Sequence, residues 1–330
     1  MKRAFLLLCL ALSTAAGTAQ ELKTTLQATD SGKFLFESYR ATTWWNMANQ
    51  KLPRSGKVPV PAELFLPDAA DQPVPAMIIL HGTAGVQDNS YQMAKELNRI
   101  GVAALVLDSF TPRGVKDVAK DQSKVLAISM VADAYAALSV LATHPKINAE
   151  KIGVTGFSKG GSVAYYSLHA SSRKLLAAGG DRFALHIGFY PGCVNTFERM
   201  DSTGAPLILL LGGADNYTGA APCQTIAEQF KRDGADVTTI VYDGAHHAWD
   251  ISAAPRNSTW DVSYVHCRLE HRQDGSVIDL TSGESLDSVE KSVKAMHSCG
   301  KSGITFGRND AAYRNSMADF KAAIQRHLSP

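Results

Sequence analysis

The sequence lacks an excess of charge of one sign, a long hydrophobic run after its first residues, and any low-complexity tract or internal repeat. Lys and Arg number 33 and Asp and Glu number 31, which leaves a net charge of +2 over 330 residues. Without a block of one sign, a nucleic acid or a charged membrane surface is not an expected partner. The 45% hydrophobic and 19% charged residues are typical of a globular chain with a substantial core. Small or neutral substrates fit such a chain better than a nucleic acid or a charged membrane surface does.

Cofactor and metal motifs are also missing. Neither G-x-G-x-x-G nor the Walker phosphate-binding pattern is present. The adjacent histidines His246 and His247 have no further Cys, His or carboxylate at metal-ligand spacing. We therefore expect no cofactor and no metal.

The first 19 residues have the layout of a secretory signal peptide: a basic start, an apolar stretch over Ala4–Leu12, and small residues through Ala19. The apolar stretch is too short to span a bilayer. Cleavage is expected after Ala19, with Ala16 as the alternative, and Leu8 before Cys9 argues against a lipid anchor. The sequence thus predicts one domain over residues 20–330 that is extracytoplasmic, in the periplasm or secreted, without a membrane anchor.

An even number of cysteines remains once Cys9 is removed: Cys193, Cys223, Cys267 and Cys299. Disulfides persist outside the cytoplasm, so two bonds are expected rather than four free thiols. Three pairings are possible. Cys193–Cys223 would join two neighbouring strand exits, and Cys267–Cys299 would close a late insertion.

Apolar, β-branched runs alternate with helical stretches, which predicts an α/β fold with a mostly parallel central sheet and helices on both faces. The candidate strands are Ala76–Leu80, Ala103–Asp108, Ile152–Thr155, Leu185–Tyr190, Leu207–Leu211 and Thr238–Tyr242, with an earlier one near the sheet edge over Pro59–Leu66. The candidate helices are Tyr91–Ile100, Val125–Leu141, Gly160–His169, Pro222–Arg232 and Asp310–Leu328. The stretch 251–303 is predicted to be a disulfide-closed insertion without a long helix, with a hairpin turn at Gln273–Gly275.

The segment Gly156-Phe157-Ser158-Lys159-Gly160 places G-x-S-x-G between a predicted strand and a predicted helix. A nucleophile on such a sharp turn needs glycines two positions before and after it, because a Cβ there would clash. This arrangement resembles the nucleophile elbow of α/β-hydrolases. Ser158 is therefore the candidate nucleophile, and the backbone N–H of Lys159 is a candidate oxyanion donor at the helix N-terminus.

A serine hydroxyl needs a general base, and the base needs a carboxylate to orient it. In α/β-hydrolases the acid follows the nucleophile after a later strand, and the histidine comes last. Asp215 and His247 each follow a predicted strand in that order. His246 competes with His247 for the role of base, and Asp243 and Asp250 compete less well with Asp215 as the acid.

The glycine-rich segment His81-Gly82-Thr83-Ala84-Gly85 follows the predicted strand Ala76–Leu80. In this fold, the loop after that strand supplies the second oxyanion donor. The N–H of Thr83 is the candidate. His81 is either a residue that orders this loop or a substrate contact.

Five segments in order resemble the dienelactone hydrolase family, over about residues 60–250 and again in the last helix. They are Ile79–Gly85, Asp108–Gly114, the Ser158 elbow, Tyr190–Cys193 and Tyr242–Trp249. The resemblance implies that the catalytic histidine is His247 and the acid Asp215. It also implies a substrate-carboxylate contact at Arg113, for which a guanidinium is suited, although Arg113 could equally pin its loop through backbone carbonyls. The namesake enzymes use a cysteine nucleophile in the cytoplasm, so Ser158 and the signal peptide are departures.

These residues predict a serine hydrolase that cleaves small-molecule ester or lactone bonds through an acyl-Ser158 intermediate. A serine peptidase of the prolyl-oligopeptidase kind shares the fold and the order of the catalytic residues, but usually carries an extra propeller domain. A non-catalytic binding protein that keeps the fold is the third hypothesis.

Overall fold

A computed structural model of the chain describes residues 21–40, 42–52, 56–68, 72–177 and 179–328. The predicted signal peptide, residues 1–19, lies outside the described residues. Across the described ranges, no helix is both long and apolar enough to cross a membrane.

Thirteen strands are found in the described chain. They are β1 Gly32–Tyr39, β2 Lys57–Phe65, β3 Val74–Leu80, β4 Ala103–Leu107, β5 Ile147–Phe157, β6 Leu185–Phe189, β7 Asn195–Phe197, β8 Leu207–Gly212, β9 Val237–Tyr242, β10 Arg256–Ser263, β11 Leu269–His271, β12 Val277–Asp279 and β13 Lys301–Phe306. Eight of them form the central sheet in the order β1-β2-β4-β3-β5-β6-β8-β9. β1 with β2 and β2 with β4 are antiparallel, whereas the strands from β4 to β9 pair in parallel.

Eight helices lie in the described chain, and those outside the insertion cover both faces of this sheet. They are α1 Trp44–Ala48, α2 Asp88–Arg99, α3 Ala127–Leu141, α4 Lys159–Tyr166, α5 Ala170–Leu176, α6 Ala220–Arg232, α7 Val289–Cys299 in the insertion, and α8 Asp310–Leu328. Along β3, Ile78 and Leu80 join the core cluster that holds α3, α4 and α6. Ile79 joins the opposite cluster with α2 and α8. Because side chains alternate along a strand, a strand covered on both faces must be apolar throughout.

The α/β fold with a mostly parallel sheet is therefore confirmed, and every predicted strand and helix is found, with its ends shifted by up to five residues. β2 lies near the sheet edge as predicted, and β1, which the sequence did not indicate, forms the edge itself. Two prolines in β2, Pro59 and Pro61, are tolerated there since β4 pairs with β2 only from Ala62 onward. A proline at either position therefore interrupts no ladder with β4.

The late segment is more ordered than the sequence suggested. β10 and β13 form an antiparallel pair, and β11 and β12 form the hairpin predicted at Gln273–Gly275. The expectation of no long helix was wrong: α7 spans 11 residues, and the Ser288 side chain caps it by accepting from the Lys291 amide. Disulfides join Cys193 to Cys223 and Cys267 to Cys299, the pairing that the sequence favoured.

Candidate active site

The turn between β5 and α4 carries Ser158 in a strained backbone conformation. Ser158 has φ 53° and ψ −114°, a region that residues with a side chain rarely occupy. A Cβ on Gly156 would lie 2.5 Å from the Gly160 carbonyl carbon, and one on Gly160 would lie 2.2 Å from the Leu80 oxygen. Both glycines are thus required for α4 to pack against β3, which brings the Ser158 side chain to the top of the sheet.

The structure brings together the three side chains that the sequence singled out. His247 Nε2 lies 3.0 Å from Ser158 Oγ, and His247 Nδ1 lies 2.8 Å from Asp215 Oδ2. The three residues follow β5, β8 and β9, whose carboxyl ends meet at one edge of the parallel sheet. All three are at least nine-tenths buried.

Asp215 is held as an acceptor from several directions. Its Oδ1 accepts from the backbone amides of Tyr217 and Thr218 at 2.8 and 2.9 Å, and its Oδ2 accepts from the Thr218 hydroxyl at 2.7 Å. Burial alone would raise the pKa of Asp215. The charge and hydrogen bond of His247, together with the two hydrogen bonds from Thr218, lower this pKa below its ordinary value. The carboxylate is therefore ionised and fixed at neutral pH.

The competing residues occupy other positions. The ring of His246 bonds the Ala214 carbonyl at 2.9 Å through Nδ1. Asp243 is exposed at the surface. Asp250 is buried and bonded to Tyr190 and Asn89. The contacts to Ser158 and Asp215 thus belong to His247.

The loop after β3 closes over the elbow. A Cβ on Gly82 would lie 3.3 Å from the Phe157 oxygen, which shows how closely the two backbones approach. The carbonyl of Thr83 accepts from the Val118 amide at 2.8 Å, which fixes the loop in place. Lys159 is the first residue of α4, so its N–H belongs to the helix turn without intrahelical acceptors. Thr83 lines the same cavity as Ser158, and Lys159 directly follows Ser158 in the chain, so the oxyanion role of their N–H groups stays a prediction.

Neither His81 nor Arg113 lines the cavity above Ser158, and the hydrogen bonds of each match the alternative that the sequence offered, a residue that orders its loop. His81 is buried: its Nδ1 bonds the Gly82 carbonyl at 2.8 Å and its Nε2 accepts from the Ser109 amide at 3.1 Å. Burial lowers the pKa of His81, which keeps the ring neutral. Both nitrogens are used in ordering the loop.

All five N–H groups of Arg113 are occupied. Nη1 and Nη2 form a bidentate pair with the fully buried Asp133 carboxylate, and the remaining bonds go to the carbonyls of Tyr39, Arg40 and Ser109. A guanidinium has no further donor for a substrate. Arg113 is a structural residue that ties the segment after β1 to α3.

A cavity of about 950 Å³ lies above Ser158 and His247. The loop after β3 forms one wall, with Gly82 and Thr83. Another wall holds Arg256 of the insertion and, from the end of β13, Ile304 and Phe306. Phe306 also forms a β-bridge with His247, so the end of β13 supports the histidine. Among the described residues, no group of three His, Cys, Asp or Glu could hold a metal.

Sequence reasoning missed several residues around His247. The rings of Tyr190 and Tyr217 each lie 4.7 Å from the His247 ring and face it edge-on. Tyr190 stood in a segment that the family resemblance already included. Tyr217 and Phe306 carried no motif, because nothing local shows which loop residue turns toward the histidine.

Comparison with known proteins identifies the family of the chain. The profile of the "Dienelactone hydrolase family" matches residues 60–272. A Bradyrhizobium protein named as a 2-oxo-3-(5-oxofuran-2-ylidene)propanoate lactonase is 23% identical over 218 residues, 59% of this chain and 84% of the relative. A Methylorubrum extorquens protein named as a carboxymethylenebutenolidase is 25% identical over 235 residues, 68% of this chain and 76% of the relative.

A solved structure shows the same fold. Thermogutta terrifontis esterase 2, phosphoramylated by tabun, superposes with a TM-score of 0.54 at 15% identity, over 85% of this chain and 94% of that one. The family profile covers well over half of the chain and includes the Ser158 elbow, Asp215 and His247. This chain belongs to the dienelactone hydrolase family and is a carboxylic ester hydrolase.

Proposed function

We propose that this hydrolase cleaves ester or lactone bonds through a covalent acyl-Ser158 intermediate, with His247 as general base and Asp215 as its orienting acid. The observation that carries the proposal is the continuous contact from Ser158 Oγ through the His247 ring to the Asp215 carboxylate, at 3.0 and 2.8 Å. Nucleophile, base and orienting carboxylate are the three parts that acyl transfer by a serine requires.

In the first half of the reaction, Ser158 Oγ attacks the substrate carbonyl while His247 Nε2 takes the hydroxyl proton. Asp215 accepts the Nδ1–H of His247, which holds the ring in the tautomer that leaves Nε2 free to accept. The N–H groups of Thr83 and Lys159 bind the oxyanion that develops on the carbonyl. Collapse of the tetrahedral adduct breaks the bond to the alcohol oxygen, which leaves with the proton from His247.

In the second half, His247 takes a proton from water as the water oxygen attacks the acyl carbon. The adduct collapses, Ser158 recovers its proton from His247, and the carboxylic acid leaves. With a lactone, acid and alcohol are parts of one product molecule. No electron is gained or lost, so the cycle needs only water as co-reactant.

The substrate we propose is a small-molecule ester or lactone. Two relatives carry the names of a lactonase and a carboxymethylenebutenolidase, which supports lactones for this chain. The cavity of about 950 Å³ lies at the large end of small-molecule sites, so it has room for an acyl group and an alcohol larger than a short aryl ester.

We also propose that the protein works outside the cytoplasm, with residues 1–19 as signal peptide and residues 20–330 as one domain that includes the insertion. The two disulfides support this location, because such bonds persist in oxidising compartments.

The test is a panel of aryl esters, aliphatic esters, lactones and short peptides on the purified protein and on Ser158→Ala. The matched control is Ser162→Ala, one turn along α4, whose Oγ accepts from the Gly192 amide at 2.8 Å. We expect turnover of esters or lactones that is lost in Ser158→Ala and kept in Ser162→Ala. Unchanged turnover in Ser158→Ala would overturn the proposal, and cleavage of peptides without any ester would replace it with a peptidase.

A further inference from the structure

A second carboxylate lies close to His247 and has no role in the cycle above. Asp250 follows His247 by three residues, is 6% exposed and lines the cavity. Its Oδ1 accepts from the Tyr190 hydroxyl, and its Oδ2 accepts from Asn89 Nδ2 at 2.8 Å. Both oxygens are thus held by donors from two other elements, the strand end of β6 and the first turn of α2.

Tyr190 connects this carboxylate to the histidine. Its ring lies 4.7 Å from the His247 ring at an interplanar angle of 66°. Trp249 packs edge-on against the Tyr190 ring, with the two ring centres 4.8 Å apart. The backbone of Tyr190 has φ 37°, an unfavourable conformation for a residue with a side chain. Such strain persists where the surroundings over-determine a position, and here it aims the phenol at Asp250.

The charges around His247 explain what this arrangement can do. During acyl transfer the imidazole becomes an imidazolium, which needs negative charge or electron-rich rings nearby. Asp215 supplies one carboxylate through Nδ1. Asp250 supplies a second one at longer range. A phenol that donates to a carboxylate is polarised toward the phenolate, so its ring attracts a cation more strongly.

Other titratable and charged groups line the same cavity, among them Tyr217, Arg256, Asp261 and Arg308, but the Tyr190 hydroxyl bonds to Asp250. Tyr217 packs on His247 as a neutral phenol, whose pKa burial raises to about 12. Arg308 donates Nη1 to the Asp250 backbone carbonyl and pairs its Nε with Asp310 at 2.7 Å. Burial raises the pKa of Asp250 above its ordinary value, and the bonds from Tyr190 and Asn89 together with the charge of His247 offset only part of that rise. The charge on Asp250 therefore depends on these two donors and on the protonation of His247.

We propose that Asp250, acting through the Tyr190 ring, is a positioning residue that stabilises the protonated form of His247 during acyl transfer. This inference rests on the proposed function, since it assigns to His247 the role of base. In this inference the stability of protonated His247 depends on two carboxylates: Asp215, which contacts the ring directly, and Asp250, which lies behind the Tyr190 ring.

The test compares the pH dependence of kcat/KM in wild type, Asp250→Asn and Tyr190→Phe. Loss of the Asp250 charge disfavours the imidazolium, so the acidic limb of the profile should move to lower pH by about one unit. Because the same charge stabilises the transition state, kcat at the optimum should fall about tenfold. Tyr190→Phe keeps the ring and removes the hydroxyl, and should move the limb in the same direction by a smaller amount.

The matched controls are Asp319→Asn and Tyr242→Phe, since the Tyr242 hydroxyl donates to Asp319 Oδ2 at 2.8 Å between β9 and α8. These controls remove a tyrosine–aspartate bond and a charge without touching the His247 ring. Their pH profiles should match that of wild type. If Asp250→Asn lowers thermal stability but leaves the acidic limb within about 0.2 unit of wild type, Asp250 is purely structural and the inference is wrong.

The two proposals fail separately. Retained turnover in Ser158→Ala would remove the proposed function and this inference with it. Loss of turnover in Ser158→Ala together with unshifted profiles in Asp250→Asn and Tyr190→Phe would remove the inference alone. If Asp250→Asn does not fold, Tyr190→Phe decides, because its isosteric ring still fills the same space.

Discussion

At the scale of single residues, the most unusual group is the buried ammonium of Lys159. Its side chain points away from the cavity toward Gln122, with Nζ 3.3 Å from the Gln122 carbonyl oxygen. Burial lowers the pKa of Lys159 from 10.5 to about 7, and the nearby charge of Asp121 offsets only part of that effect. The charged form therefore destabilises the folded state.

The first prediction follows from this pKa. Between pH about 7 and 10.5 the unfolded chain binds a proton at Lys159 that the folded chain releases, so stability rises with pH across that window. Lys159→Met should therefore raise the free energy of unfolding at pH 7 by roughly 2 kcal/mol, and by much less at pH 10. Urea unfolding of both proteins at pH 6, 7, 8.5 and 10 measures the difference. An equal gain at every pH, or a loss at pH 7, would contradict it.

The second prediction concerns Arg113, whose guanidinium is committed to Asp133 and three carbonyls. Arg113→Met leaves a buried carboxylate without its partner and should lower the free energy of unfolding by about 3 kcal/mol or more. For the protein that stays folded, KM for an ester with a carboxylate and KM for its neutral analogue should change by the same factor. A selective rise in KM for the acidic ester, with stability unchanged, would show that Arg113 binds substrate.

Residues near the site were predictable where the reaction requires a particular residue type and the fold requires a particular order of these residues along the chain. Ser158, Asp215 and His247 stood after three strands in the order that the fold requires. The true contacts of His81 and Arg113 were not predictable, because they depend on which buried group each side chain meets. Asp133 lies on α3 and Ser109 after β4, and only the folded chain brings them to these side chains.

At the scale of elements, the strand-turn-helix at Ser158 leaves the least space for an added side-chain atom. A Cβ at position 160 would meet the Leu80 oxygen at 2.2 Å and the His81 oxygen at 2.7 Å, both of them backbone atoms. Neither atom can move without displacing β3 from the centre of the sheet. The positions of the elbow and of the oxyanion loop therefore both depend on the absence of a side chain at Gly160.

The third prediction tests that constraint. Gly160→Ala should lower the free energy of unfolding by about 3 kcal/mol or more through overpacking, or prevent accumulation of soluble protein. Gly56→Ala is the control, because nothing lies within 4 Å of a Cβ there. Thermal unfolding followed by circular dichroism makes the comparison. Similar midpoints for the two variants would mean that α4 packs less closely on β3 than described.

Elements were predictable where burial dictates their pattern. The central strands are apolar without interruption because both faces are covered, and each was found in place. β1 was missed because it lies at the sheet edge, where its buried side chains alternate with half-buried or exposed ones. α7 was missed because it lies in a polar stretch, and its cap at Ser288 resembles the caps of ordinary turns.

At the scale of the whole molecule, the insertion and the central sheet together enclose the site. Phe306 of β13 bridges to His247, and the Arg256 guanidinium lies 4.8 Å over the Phe306 ring. The Cys267–Cys299 bond closes the segment between β10 and β13. We therefore expect substrate size to be governed by a part of the chain that carries none of the three residues proposed for acyl transfer.

The fourth prediction distinguishes the roles of the two disulfides in substrate binding and turnover. Removal of Cys267–Cys299 by a double Cys→Ser change should lower stability by roughly 3 kcal/mol and raise KM for bulky esters more than for acetates. Removal of Cys193–Cys223, which anchors the turn after Tyr190, should reduce turnover of large and small esters alike. Steady-state kinetics on a series of acyl and alcohol lengths measures both. An equal effect of the two changes on all esters would contradict this division of roles.

The large-scale arrangement was predictable only in outline. The order of strands and helices predicted an α/β sheet, and the cysteine spacing predicted an insertion. The side chains that the insertion places over Ser158 depend on the pairing of β10 with β13, which no local pattern in the sequence indicates.

The central claim, that Ser158 is activated by His247 and Asp215, is tested most directly by covalent labelling. The protein is incubated with a fluorophosphonate, and the adduct is located by intact mass and peptide mapping, with Ser158→Ala and His247→Ala treated in parallel. The account predicts one adduct per chain on Ser158, none on Ser158→Ala, and labelling slowed by at least about a hundredfold in His247→Ala. Ester turnover by a protein whose Ser158 stays unlabelled, or an inactivating adduct on another residue, would contradict it.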